Sequence, residues 1–321
     1  MKVFSRKDIR AAGVFFATAL SMAWSGNALA CAACGCLANN NFQTQGLSTT
    51  PGWMVGLSYD YVNQNRLMLG SHDAAGRTDL SLPNAQEIER LTRTSTTTLH
   101  VDYTAADWGV NVRLPYLDRY HVTYPPGSVS SLSSQSRTLG DAQVLVRYTG
   151  LSAAGGTGLL AGLKLPTGPI HETFSDGSLL DRSLQPGTGS TDILLGGFTT
   201  GNIGHLSWFV QGLWQSPLAT RQGYRPGYVA SLDAGLRYGH FGQRIVPMLQ
   251  FNAIQRGRDT GLQATPDTTG GELVYVAPGV YVHLGSGVSA YALVQLPVYQ
   301  HVNGLQLVPR YIPSVGIMYR L

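Results

Sequence analysis

Apolar and polar residues alternate with a period of two along most of the chain. Trp53, Val55, Leu57, Tyr59 and Tyr61 alternate with Met54, Gly56, Ser58, Asp60 and Val62. Leu99, Val101 and Tyr103 alternate with His100, Asp102 and Thr104, and Trp108, Val110, Val112, Leu114 and Tyr116 with Gly109, Asn111, Arg113 and Pro115. Ala142 to Tyr148 and Tyr228 to Tyr238 repeat the pattern. In a strand, such alternation gives one apolar and one polar face. The apolar rows end in aromatics: Trp53 and Tyr61, Trp108 and Tyr116, Tyr228 and Tyr238. Paired aromatic ends are how membrane-interface girdles read. The rows run about 9 to 13 residues, longer than the 5 or 6 usual in soluble sheets.

The pattern predicts strands near 52–62, 95–104, 108–118, 139–149, 157–167, 190–200, 205–215, 227–238, 244–255, 272–284, 288–299 and 308–321. The joints alternate in length. Short ones carry turn residues, as in Ala105-Ala106-Asp107, Gly201-Asn202 and Gly285-Ser286-Gly287. Long ones, about 63–94, 119–138, 168–189, 216–226, 256–271 and 300–307, are rich in Ser, Gly, Asp, Pro and Arg. The fold class expected is all-β: an antiparallel transmembrane β-barrel of about 12 strands (10–14), with short periplasmic turns and long extracellular loops. Prolines interrupt several rows, at Pro115, Pro166, Pro247, Pro278 and Pro297. A proline removes a ladder bond, so bulges are expected near them.

The first thirty residues predict a secretory signal. Lys2, Arg6, Lys7 and Arg10 precede an apolar run from Ala11 to Trp24, and Ala28-Leu29-Ala30 has the small-x-small form of a cleavage site. The expected organisation is a signal at 1–30, a cysteine-containing periplasmic segment or plug at 31–51, and a barrel at 52–321. The chain has 22 Lys+Arg against 18 Asp+Glu; the signal holds four of the cations and Asp8, leaving 18 against 17. A net charge of +1 gives no ground for a nucleic-acid partner. Lys164 is the only lysine past the signal. Charged residues are 12% of the chain, about half the usual share in soluble proteins.

The chain ends Ser314-Val315-Gly316-Ile317-Met318-Tyr319-Arg320-Leu321. This is similar to the C-terminal assembly signal of outer-membrane barrels, with Gly316, Tyr319 and Leu321 in the marked positions. It implies the barrel assembly machinery as a partner, and it sets Val315, Ile317 and Tyr319 outward, Met318 and Arg320 inward. The polar face of the strands then supplies a lumen set: Asp60, His100, Asp102, Arg113, Asp141, Arg147, Lys164, Asp192, Asp233, Arg237 and Arg310. Charges of both signs inside a barrel have two readings, a selective lining for a solute path or a salt-bridged filling that stiffens the wall. Twelve strands lie between filled eight-stranded barrels and open sixteen-stranded pores, so the count does not decide. No Gly-x-Ser-x-Gly elbow or His-Glu-x-x-His motif occurs, and no catalytic residue is assigned. The expectation is a protein that is not an enzyme.

Several stretches carry a family resemblance: Leu139-Gly140-Asp141; Gly162-Leu163-Lys164-Leu165-Pro166-Thr167-Gly168; Pro186-Gly187-Thr188-Gly189-Ser190-Thr191-Asp192; Gly270-Gly271 with Ala277-Pro278-Gly279; and Gln295-Leu296-Pro297-Val298-Tyr299-Gln300. Over roughly 139–321 the chain resembles the outer-membrane transporters grouped as the MetA pathway of phenol degradation. The resemblance implies a barrel and uptake of small, aromatic or hydrophobic molecules. It names no catalytic residue.

Cys31, Cys34 and Cys36, the only cysteines, fall outside that resemblance. Three thiolates suit a soft metal ion such as Cu(I) or Zn(II). An oxidising periplasm equally suits a disulfide between two of them. Lipidation of Cys31, as the new N-terminus, is a third outcome. Two functions remain open. One is a channel of the Gram-negative outer membrane, with membrane lipid and a small-molecule solute as partners. The other is a closed structural barrel whose Cys-rich segment binds a soft metal or a periplasmic partner.

Overall fold

Alternating sequences form strands because each strand serves two environments at once, a packed interior and an apolar exterior. The computed structural model describes residues 51–77, 79–82, 84–152, 156–239 and 244–321. The signal and the cysteine cluster lie outside the described residues. Twelve long strands form one closed antiparallel barrel. They are β1 Gly52–Gly70, β2 Ile88–Thr104 and β3 Trp108–Tyr124; β4, in two pieces, Leu132–Leu139 and Ala142–Tyr148; β5 Thr157–Leu165, β6 Ser190–Ile203, β7 Leu206–Thr220 and β8 Val229–Tyr238; and β9 Ile245–Arg256, β10 Gly271–Gly285, β11 Val288–Pro309 and β12 Ile312–Arg320. Each pairs with its neighbours in sequence. The ring closes where β12 pairs β1, with Tyr319 opposite Val55 and Ser314 opposite Asp60.

The expected faces hold. On β8, Leu232 is 48% exposed while its neighbour Asp233 is 4% exposed. Val315, Ile317 and Tyr319 face outward and Met318 is buried. At the turn end an aromatic row runs around the wall: Trp53 packs on Tyr103 at 4.9 Å between ring centres, and Tyr103 on Trp108 at 5.5 Å.

The loop end departs from the expected boundaries. Residues 63–70 and 88–94, expected as loop, continue β1 and β2. The span 300–307, also expected as loop, lies within β11. There the chain turns at Gly304, whose φ of 63° suits glycine. It then returns along β1, with Leu305 opposite Leu69 and Pro309 opposite Gln64. Above an apolar belt, polar residues occupy both faces, so alternation fades while the ladder continues.

Three prolines sit at irregularities of the ladder. Pro115 lies opposite the break in β4, where its carbonyl accepts from Gly140 N–H at 2.8 Å. The register shifts next to Pro217, opposite Asp192, and next to Pro297, opposite Tyr275. A residue with no N–H to donate is tolerated where the ladder is already interrupted; Pro247 and Pro278 are the exceptions, since β9 and β10 pair there without a register shift.

Candidate functional site

The interior is layered, and each layer follows from what neighbouring strands place inward. At the turn end it is apolar on the side from β9 round to β1, while on the β2–β4 side it holds buried polar groups: Arg147 reaches Thr104, the last residue of β2, and Asp102 lies opposite Met54. Met54, Met248, Ala277, Tyr281, Tyr291, Leu293 and Met318 form one cluster, and Leu145, Leu160, Leu194, Phe198 and Leu213 another. Glycines on the adjoining strands make the space: a side chain at Gly316 would run into the Tyr291 ring, and one at Gly235 into the Phe209 ring. Large rings thereby lie flat across the wall.

Polar pairs run from the turn end of β2–β4 into the middle of the barrel. Asn111 donates to Asp102 at 2.8 Å and Asn252 to Asp233 at 2.7 Å, each from the directly opposed position on the next strand. Ser58 bonds His100 at 2.9 Å, Arg147 donates to Thr104 at 3.0 Å, and Ser314 donates to Asp60 at 2.5 Å.

Above this lies an ionic knot. Lys164 on β5 faces Gln143 of β4 on one side and Asp192 of β6 on the other. Its Nζ is 3.1 Å from Asp141 Oδ2 and 3.0 Å from Asp192 Oδ2, and it also donates to Thr188 Oγ1. All three charged side chains are nearly inaccessible to solvent. A buried charge without its counter-charges is costly, so the three hold one another in place. Asp141 also accepts from the N–H groups of Gly168 (3.1 Å) and Thr188 (2.9 Å). Both ends of the 166–189 loop are thereby pinned to the break in β4. Gly168 and Gly187 touch backbone to backbone; a Cβ at Gly187 would lie 2.2 Å from the Gly168 carbonyl oxygen. Three of the stretches that carried the family resemblance, 139–141, 162–168 and 186–192, thus converge on one site.

From this anchor the loop crosses the barrel mouth. Leu180 and Leu184 pack with Leu67, Ala74, Ile88, Leu305 and Leu307, which come from the β1, β2 and β11 side. In a ring of twelve, β5 and β6 lie opposite β11, β12 and β1, so a loop that joins these two sides spans the opening. Arg119 of β3 donates to the Leu184 carbonyl at 2.6 Å and to Thr94 at 3.2 Å. Arg182 lies over the Tyr224 ring at 4.8 Å, and Tyr224 donates to the buried Asp259 at 2.5 Å. Outside the strands, burial and the Asp181 carboxylate push the Glu87 carboxyl up to about 8; Thr123 donates to Glu87 at 2.5 Å.

Beneath the loop lies a cavity of about 270 Å³, room for about nine waters at ~30 Å³ each. One wall is polar: Ser58, Asp60, Thr94, Thr96, Thr98, Arg113 and Arg119. Val62, Pro115 and Leu117 interrupt that side; the facing side carries Leu194, Leu213 and Val229 together with Gln215 and Ser231, and Pro186 and Thr188 of the loop roof the space.

Of the expected lumen set, Asp60, Arg113, Asp141 and Lys164 line the cavity. His100, Asp102, Arg147, Asp192 and Asp233 are buried and Arg237 is half-buried, none of them among its lining residues. Arg310 is a correction: it is exposed, in the two-residue break between β11 and β12. The strand expected over 308–321 is interrupted between Pro309 and Ile312, each side pairing β1, and Arg310 falls in the gap. Arg119, the threonine ladder and the crossing loop were not anticipated. Arg119 fell just past an expected strand end at 118; Thr94, Thr96 and Thr98 already showed the right spacing.

No family model matches the chain, and no curated protein matches it in sequence. Solved structures share its fold. An outer membrane channel of the COG4313 group from Pseudomonas putida F1 superposes with a TM-score of 0.57 at 11% identity, over 85% of this chain and 97% of that one. The translocator domain of the autotransporter NalP from Neisseria meningitidis superposes with a TM-score of 0.50 at 14% identity, over 86% and 91%. One neighbour is a channel and the other a translocator, so the likeness carries the fold and leaves the function to the site.

Proposed function

We propose that the protein is an outer-membrane channel for small solutes, with passage through the barrel lumen controlled by the 166–189 loop. The observation that carries this reading is the cavity of mixed polar and apolar lining on the barrel interior, roofed by a loop that spans the mouth. Three further features support it. The exterior is apolar between aromatic rows, which suits a lipid bilayer. The N-terminal thirty residues suit export, with cleavage after Ala30. The last strand, ending in Tyr319 and Leu321, suits recognition by the barrel assembly machinery.

The cavity's mixed lining suits a solute with both polar and apolar groups. An aromatic molecule bearing a hydroxyl or carboxyl group would satisfy both, in keeping with the phenol-degradation resemblance. Asp60, Arg113, Asp141 and Lys164 would set the preference, and transport would be diffusion down a gradient. We read the buried Ser58–His100 pair, 2.9 Å apart on the neighbouring strands β1 and β2, as part of the wall rather than as a nucleophile and base, which keeps a channel ahead of an enzyme. The segment 31–51, with Cys31, Cys34 and Cys36, would act as a second, periplasmic control through a disulfide or a soft metal.

The test is solute flux and single-channel conductance in reconstituted bilayers, comparing the mature chain with one lacking 31–50. Flux in either form supports the channel. Silence in both, for ions and for neutral aromatic solutes, rejects it and favours a closed barrel with a metal- or partner-binding tail.

A further inference from the structure

The outer wall has a second polar site. On β1 to β4 the outward face is apolar from Trp53 and Trp108 up to Tyr59, Tyr116 and Leu139. It then turns polar. Arg93 and Ser95 on β2, Asp118 and Tyr120 on β3, and Gln135 and Arg137 on β4 come side by side: Arg93 opposes Tyr120, Ser95 opposes Asp118, and Asp118 opposes Arg137. Between them is a depression of about 330 Å³, lined by Tyr61, Arg93, Ser95, Asp118, Tyr120 and Gln135.

The side chains are pre-positioned. The Arg93 guanidinium lies 5.4 Å from the Tyr120 ring centre, stacked on an aromatic support. Asp118 accepts from Arg137 Nε at 3.0 Å and from Gln135 at 3.2 Å, fixing both. Arg137 nevertheless keeps 63% of its side chain exposed. Two guanidinium groups against one carboxylate leave the site positive.

Its height matters. Asp118 is ten residues beyond Trp108 on β3, about 33 Å along the strand at ~3.3 Å per residue. At a tilt near 40° that is about 25 Å along the barrel axis, the height of the apolar band of such barrels. The site therefore sits where acyl chains end and headgroups begin, on the loop side, which is the outer leaflet.

We propose that this depression binds a phosphate of an outer-leaflet glycolipid, with Arg93 and Arg137 on the phosphate oxygens. Tyr61, Ser95 and Gln135 donate to the sugar, and the acyl chains run down over Tyr59, Leu57, Leu99 and Tyr116. Guanidinium is the group suited to paired hydrogen bonds with phosphate. The proposal rests on the outer-membrane reading above.

The experiment reconstitutes the full mature chain into phosphatidylcholine vesicles doped with diphosphoryl lipid A or with its dephosphorylated form, and counts retained glycolipid by native mass spectrometry. The variants are Arg93→Gln with Arg137→Gln and, as a control at the turn end, Arg244→Gln; heat-shifted gel migration checks folding. The expected result is about a tenfold loss of diphosphoryl lipid retention in the double variant, with none in the control and no change for the dephosphorylated lipid. Equal retention by wild type and double variant, or of the two glycolipids by wild type, overturns the site. Displacement by inorganic phosphate alone overturns the headgroup assignment in favour of a free-anion site. A folded chain that enters no vesicle overturns the membrane reading itself, and this proposal with it.

Discussion

The two halves of the barrel interior are built by different chemistry. The turn-side half is closed largely by hydrocarbon: Tyr291, Leu293, Met318 and their neighbours interlock over glycines, with Arg147 and Asp102 buried only on the β2–β4 side. The loop-side half is closed by a few directional bonds around Lys164 and by a loop laid across the mouth. Apolar packing adds up over many small contacts and has no single point of release. A buried ionic knot depends on a few groups, and losing one leaves the others uncompensated. The difference teaches where control is to be sought: the turn side holds the wall, and the loop side can be opened.

That contrast can be broken at Lys164. Lys164→Met removes the cation that pairs Asp141 and Asp192, leaving Arg182 as a more distant charge at Asp141, for a loss of about 3–5 kcal/mol. Denaturant unfolding from vesicles should show it, and conductance should rise as the loop comes free. Tyr291→Ala on the turn side should cost a similar ~3–5 kcal/mol while leaving the loop docked, so conductance should stay at the wild-type level. Equal conductance changes in the two variants would erase the distinction. Leu232→Arg on the outer face should cost about 2–4 kcal/mol of membrane folding. Asp233→Asn, one residue away, keeps an acceptor for Asn252 and should cost about 1 kcal/mol or less; equal costs would reject the register.

The smallest effect is on pH. The Glu87 carboxyl titrates at about 8, raised from 4.5 by burial and then by Asp181. The folded protein therefore holds this proton where the unfolded chain has lost it, and stability falls as pH rises from 4.5 to about 8. Protection of the Leu180 and Leu184 amides, taken as exchange relative to the unstructured chain at the same pH, should be greatest in acid and fall across that window. Glu87→Gln should flatten the trend, and a trend unchanged in that variant would remove Glu87 from the account.

The wall was legible in the sequence and the mouth was not, for one reason. Within the apolar belt each strand residue has an unambiguous environment, so Trp53 to Tyr61 and Trp108 to Tyr116 announce their faces. Above it Arg93, Asp118 and Tyr120 face outward while Thr94, Arg119 and His121 face in, and polarity no longer distinguishes the sides. Ile170, Leu180 and Leu184 bury themselves at irregular spacings that no period detects. The family-like stretches around Asp141, Lys164 and Thr188 were visible as motifs, yet nothing in their spacing told that a lysine binds all three together. The turn-side clusters were half legible: Gly235 and Gly316 at inward positions of apolar strands mark where a ring from the next strand lies.

The most direct measurement is single-channel conductance and aromatic-solute flux with residues 171–184 replaced by a short Gly-Ser linker, against the intact chain in the same bilayers. The account predicts low, intermittent conductance in the intact chain and a steady, larger one when the crossing loop is removed, with both proteins folded by heat-shifted migration. Conductance and flux unchanged by the replacement would contradict it.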